Sequence, residues 1–234
     1  MLIWLKNKLR PVERRSELRV MSQFIDVGFH GDEYLLSLVD HLAGQCRVFV
    51  ETGSNVGSTL AYVARTYPDL RCLSCEPERS AFEQAREHTS QYGNVFLFSG
   101  RSQEFIHYLV DHESTIFSQP CLVWLDAHGY GFEWPLKNEL EFITSCIGSA
   151  YILIDDFKVP GRDDFKYDIY QDQICSYDFV KGALNPSRTY QLYYPTYKDK
   201  TSKHHPLCGW GLLVVGHNDF QIPEQLAGKM ERAL

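Results

Sequence analysis

The 234-residue chain has no surplus of basic residues, no apolar stretch long enough to cross a bilayer, no internal repeat and no low-complexity tract. Lys and Arg total 23 against 30 Asp and Glu, a net charge of −7 at pH 7. Without a basic field the phosphate contacts that dominate nucleic-acid affinity are not supplied, so RNA and DNA are not expected partners. The first ten residues hold only a short apolar cluster, with Leu2, Leu5 and Leu9 at helical spacing and Lys6, Lys8 and Arg10 between them. That is too little for a signal peptide or a spanning helix, and stable membrane insertion is not expected. Docking on the domain or on a second subunit is the expected role, with an interfacial helix as the alternative.

An even set of cysteines is also missing: seven fall at positions 46, 72, 75, 121, 146, 175 and 208. Several lie in apolar runs such as 121–125, where a thiol packs as a small hydrophobe. The odd count argues against a disulfide framework, so a reduced, cytoplasmic protein is expected. Cys72 and Cys75 match a C-x-x-C spacing, but in a strand residues three apart point to opposite faces, and both read as structural. His204 and His205, adjacent ahead of Pro206, are poorly placed to hold one ion. What remains is an ordinary globular balance, 44% hydrophobic and 23% charged. It suits one domain over residues 46–234, preceded by a helical segment, 1–45, packed on that core or on a partner subunit.

From residue 46 onward short apolar runs alternate with helical stretches, the pattern of strands and crossover helices in a parallel sheet. Residues 46–51, 71–76, 94–99, 121–126 and 151–156 read as successive strands, four of which end in a carboxylate: Glu51, Glu76, Asp126 and Asp156. In open α/β sheets ligands gather at the carboxyl ends of the strands, so these acids should meet in one crevice. Helices are expected over 58–66, 80–88, 102–111 and 136–146, the second opened by a capping box of Ser80 and Glu83. Beyond Pro160 the chain turns polar and aromatic, then 189–194 and 209–215 suggest two closing strands paired at the sheet edge. The expected fold is α/β, a doubly wound sheet, mostly parallel with an antiparallel closing strand and helices on both faces.

The most informative stretch is 48–59, an apolar strand running through a glycine turn into a helix start. Gly53 and Gly57 let the backbone turn tightly and approach a ligand, and Glu51 favours a cationic group. The dinucleotide fingerprint G-x-G-x-x-G is absent; the spacing is Glu-x-Gly-x-x-x-Gly, with an acid where a pyrophosphate would be repelled. On these residues the segment 46–156 resembles the class I S-adenosylmethionine-dependent methyltransferases, whose first motif has this acid, glycine and glycine arrangement. The resemblance implies a Rossmann-like fold with S-adenosylmethionine as cofactor. It implies that Glu51, Gly53, Ser54, Asn55 and Gly57 line the methionine end and that Glu76 accepts both ribose hydroxyls. Gly100, Arg101 and Ser102 match the segment that closes on the adenine. Many relatives carry aspartate where this chain has Arg101, which leaves the adenine contact to Ser102 or to backbone groups.

The ends of the fourth and fifth strands gather Asp126, His128, Asp155 and Asp156. Asp126, Asp155 and Asp156 resemble the metal-ligand positions of the divalent-cation-dependent small-molecule O-methyltransferases, where the last is commonly asparagine. Oxygen ligands of this kind suit Mg2+ or another hard dication, which would lower the pKa of an acceptor hydroxyl. Read without a metal, Asp155 caps the following turn, Asp156 pairs with Lys158, and Asp126 contacts the cofactor amine. His128, two residues past a strand end, is a candidate catalytic base beside Asp126, with metal ligand and wall residue as its alternatives. The segments 125–128, 134–136 and 154–161 are also similar to a group of uncharacterised bacterial methyltransferase-like proteins. The implied reaction is O-methylation, less readily N-methylation, of a small-molecule acceptor. The alternatives are a metal-dependent hydroxylase-like enzyme on the same fold and a non-catalytic S-adenosylmethionine-binding protein. A lid over the site is one reading of 163–170, a structural loop the other. Subunit contacts, in a homodimer, and acceptor specificity are expected from the first 40 residues and from 157–197.

Overall fold

The computed structural model describes residues 27–127, 134–198, 205–217 and 219–234. The expected N-terminal helix around Leu2 to Leu9 lies outside them. Helix α1 (Glu33–Ala43) opens the described chain, its first turn capped by Asp32, whose carboxylate accepts from the Tyr34 and Leu35 amides. Strands β1 (Val48–Thr52), β2 (Arg71–Glu76), β3 (Val95–Ser99), β4 (Cys121–Leu125) and β5 (Ala150–Ile154) are parallel. Helices α2 (Ser58–Thr66), α3 (Arg79–Thr89), α4 (Ser102–His112) and α5 (Leu136–Cys146) make the crossovers. Each buries an apolar stripe, as in α5 with Leu136, Leu140 and Ile143 against the sheet. Helix α2 packs on α3, and α4 on α5, clothing the sheet on both faces.

After β5 the chain makes a two-stranded ribbon, β6 (Ile169–Tyr170) with β7 (Gln173–Ile174), and returns to the main sheet as β8 (Tyr190–Pro195), β9 (Gly211–Val215) and β10 (Met230–Arg232). The spatial order is β10-β8-β9-β5-β4-β1-β2-β3. Strand β9 runs antiparallel to both β5 and β8, and β10 antiparallel to β8. The two closing strands do pair, yet β9 sits inside the sheet, fully buried over its five residues, and β10 forms the edge. Burial on both faces favours the continuous apolar run Leu-Leu-Val-Val that β9 carries.

Strand order reverses between β1 and β4, the topological switch point where open α/β sheets form their crevice. Main-chain bonds continue past the strand ends there: the Asp126 amide donates to the Thr52 carbonyl at 3.1 Å, and the Asp155 amide to the Leu125 carbonyl at 3.0 Å. Asp126 and Asp155 therefore stand just beyond their strands, in the crevice, whereas Glu51 and Glu76 lie within β1 and β2. One local expectation changes. Helix α3 begins at Arg79, and its cap is Glu78, which accepts from the Ala81 amide and from the Ser80 hydroxyl. Glu78, two residues ahead of the expected cap Ser80, takes the capping role by accepting from the Ala81 amide, and the expected box with Glu83 is not the cap.

Candidate functional site

The glycine turn is shaped by its neighbours. Gly53 and Gly57 both sit at φ 84°, in the left-handed region, with Asn55 between them at φ 50°. A Cβ on Gly53 would stand 2.7 Å from the Asp126 carbonyl oxygen, and one on Gly57 2.9 Å from the Cα of Ala85 in α3. The first glycine thus lets the turn lie against the end of β4, and the second lets α2 close on α3. The Gly53 and Ser54 amides donate to the Cys75 carbonyl at 3.1 and 2.9 Å, which ties the turn to the end of β2.

Two carboxylates face this turn. Glu76 is 4% exposed; its Oε2 accepts from the Asn55 amide and its Oε1 from the Glu78 amide, both at 2.8 Å. These main-chain donors fix its orientation. Glu51 is 1% exposed and accepts from the Ser74 hydroxyl at 2.6 Å. Burial lifts its carboxyl to about 8; the Ser74 hydrogen bond opposes this, and the charges of Asp126 and Glu76 add to it. A cation brought beside Glu51 would favour its ionised form. At the end of β3, Gly100 donates to the Glu76 carbonyl at 3.2 Å. A Cβ there would collide with the Phe98 ring at 2.5 Å. Arg101 is exposed with its amide on Glu104, and Ser102 is buried at the start of α4.

Ends of strands β4 and β5 meet a residue the sequence did not single out. One ligand atom each of His30, Asp126 and Asp155 lie within 4.8 Å of one another, and His30 Nε2 is 2.7 Å from Asp155 Oδ2. His30 comes from the turn before α1. Phe29, fully buried, anchors that turn by edge-on contacts with Trp124 at 5.0 Å, Tyr62 at 6.2 Å and Phe49 at 6.4 Å. Burial opposes protonation of His30, but the Asp155 charge and hydrogen bond outweigh it, helped by Asp126 and Asp156, and lift the imidazole to about 9. Burial likewise pushes the Asp155 carboxyl up, against the pull of His30. Two niches, each with room for about one water, flank Asp155. Asp126 and Glu139 border one of them and His30 and Cys208 the other.

Asp156 is buried in the left-handed region at φ 47°, and its carbonyl accepts from the Asp168 amide at 2.9 Å. Its carboxylate interacts with the Cys208 thiol, which it pushes up together with burial. Asp126 and Asp155 thus share a centre with His30, while Asp156 borders it. His128 lies outside the described residues. Main-chain bonds tie the segment after β5 together: the Lys158 amide donates to the Cys175 carbonyl, the Lys166 amide to that of Leu207, and the Cys175 amide to that of Asp168. Trp134 closes the far side, its indole N–H on the Ala127 carbonyl and its ring stacked on Phe179.

Known structures share this architecture. The O-methyltransferase TomG from Streptomyces achromogenes, involved in tomaymycin synthesis and bound to S-adenosylmethionine, aligns with a TM-score of 0.51 at 21% identity, over 78% of each chain. An O-methyltransferase from Bacillus cereus, in complex with S-adenosylhomocysteine, reaches 0.57 at 16% identity, over 87% of this chain and 89% of that one. The chain shares the Rossmann-like α/β fold of these two enzymes. A putative O-methyltransferase from Klebsiella pneumoniae is also similar, at 0.53 and 19% identity over 88% and 90% of the two chains. No family model matches the sequence, and no curated protein is significantly similar to it. The crevice at the β1–β4 switch point is where the glycine turn, Glu76, Asp126 and Asp155 stand. Among the described residues no helix is long and apolar enough to cross a membrane.

Proposed function

We propose that the protein is an S-adenosylmethionine-dependent methyltransferase that O-methylates a small-molecule acceptor with the help of a divalent cation. The observation that carries this reading is Glu76, a buried carboxylate aimed by two main-chain donors at the mouth of a left-handed glycine turn. A carboxylate accepts about four hydrogen bonds, the chemistry needed to hold a ribose diol. Glu51, lifted by burial, gains from a cationic neighbour on the same turn. The similar structures named with S-adenosylmethionine or S-adenosylhomocysteine support the same cofactor.

Glu51, Gly53, Ser54, Asn55 and Gly57 would hold the methionine end, Glu76 the ribose, and Gly100, Arg101 and Ser102 the adenine side. When bound there, the cofactor supplies a methyl group already activated on a cationic sulfur. The protein then has to orient a deprotonated acceptor and keep water away, work that needs few groups. Asp126 and Asp155 fit a dication, offering two carboxylates that balance its charge beside a niche the size of one water. Such an ion would lower the pKa of an acceptor hydroxyl. His128 is the base the sequence places next to Asp126.

Calorimetric titration of the intact protein with S-adenosylmethionine, with and without Mg2+, tests the reading against Glu76→Ala and Glu76→Gln. Saturable binding that weakens by about tenfold or more in both variants is expected, since alanine removes both charge-assisted acceptors and glutamine removes the charge and one of them, each bond being worth about 1.5–3 kcal/mol. Absence of binding by the intact protein, or equal affinity in all three, overturns it.

A further inference from the structure

We infer that His30 is the third protein ligand of a cation held by Asp126 and Asp155, and that it gives the site a preference for nitrogen-binding dications such as Mn2+ or Co2+ over Mg2+. This rests on the reading that those two aspartates hold a cation at all. Ligands sharing one ion at about 2.1–2.2 Å stand no more than about 4.3 Å apart, so a cluster within 4.8 Å closes on an ion with small shifts.

The convergence is built by three separate parts of the chain. His30 and Asp155 are 125 residues apart, and Asp126 comes from the neighbouring strand. Each is fixed by its own backbone: Asp126 on Thr52, Asp155 on Leu125, and His30 between buried Phe29 and the Asp32 cap of α1. Phe29 and His30 both occupy the left-handed region, at φ 51° and 58°, followed by Gly31 at 67°. Two non-glycine residues in that region hold a strained backbone, and the result is an imidazole turned onto Asp155. A face of the same ring stacks on His205, with centroids 4.1 Å apart and planes 17° off parallel.

One imidazole, which gives up its proton to solvent when its Nε2 takes the ion, and two carboxylates form a mixed set. Mg2+ favours oxygen and water in a strict octahedron, whereas imidazole suits the first-row transition ions. Loss of His30 should therefore cost Mn2+ much affinity and Mg2+ little.

Mn2+ and Mg2+ are titrated into the intact protein, His30→Asn and His128→Asn, with Mn2+ followed by electron paramagnetic resonance and its nitrogen neighbours by spin-echo modulation. Asparagine tolerates the left-handed backbone, so the turn is kept. The expected result is nitrogen modulation in the intact protein, retained in His128→Asn and lost in His30→Asn, with Mn2+ affinity down at least about tenfold and Mg2+ affinity within about threefold. Mn2+ bound without nitrogen modulation, or modulation lost in His128→Asn instead, overturns the role of His30 and leaves the cation reading standing. If neither ion binds the intact protein, both readings fall. Should His30→Asn not fold, His30→Gly, which keeps the left-handed backbone at no steric cost, takes its place in the same measurement.

Discussion

Glu51 lies under the glycine turn with 1% of its surface exposed and a carboxyl lifted from an ordinary 4.5 to about 8. Between those two values the folded protein keeps a proton that the unfolded chain has released. Stability is therefore complete below about pH 4.5 and is lost as pH rises through about 8. At about 1.4 kcal/mol per unit, the buried charge costs on the order of 3–5 kcal/mol at pH 8.5 and less than about 1 kcal/mol at pH 5. Glu51→Gln keeps the shape and still accepts from Ser74, but cannot ionise. Urea unfolding of both proteins should find them within about 1 kcal/mol of each other at pH 5 and the variant more stable by several kcal/mol at pH 8.5. A difference that is the same at both pH values would refute the account, because a packing effect does not titrate. The same group makes binding of a cationic cofactor stronger toward pH 8 in the intact protein, a slope the variant should lack.

Gly53→Ala forces a Cβ to 2.7 Å from the Asp126 carbonyl at φ 84°. It should cost about 2–4 kcal/mol and displace Asp126, whereas Gly93→Ala, with nothing within 4 Å, should stay within about 0.5 kcal/mol of the parent. Equal melting temperatures for the two variants would show that the turn is free to move. Of the seven thiols, six are buried and only Cys146 is partly exposed. Burial pushes Cys46, Cys72 and Cys121 up to about 12. Only Cys146 should react with a chromogenic disulfide at pH 8 in the native state, and slowly because burial raises its thiol too, whereas all seven should react after unfolding. Rapid native reaction of three or more would contradict the burial.

Strand β2 and helices α2 and α5 have the bounds their sequence patterns predict, and the remaining parallel strands differ by one or two residues. Apolar period, glycine turns and terminal acids are local signals, and they locate Glu51, Glu76, Asp126 and Asp155 along the chain without reference to partners. Where β9 inserts is different. Its apolar run fits any buried strand, and only the packing of β5 and β8 on either side decides that it lies inside the sheet. Strand β10 has one buried residue, Met230, and so no period to detect.

The candidate site divides in the same way. A carboxylate at the end of an apolar run announces itself, because the alternation of strand and loop is written within a few residues. His30 does not, since its neighbours form a short irregular turn whose one visible cue is a histidine between glycines ahead of the Asp32 cap. Its place depends on Phe29 docking against Trp124 and on Asp155, 125 residues later, arriving beneath it. The sequence by itself determined the order of elements and the acids at their ends, because hydrophobic period and backbone conformation are local properties. Which of those acids share a centre, and with which imidazole, was decided only when the sheet brought distant turns together, because that proximity comes from burying apolar surface across the whole chain.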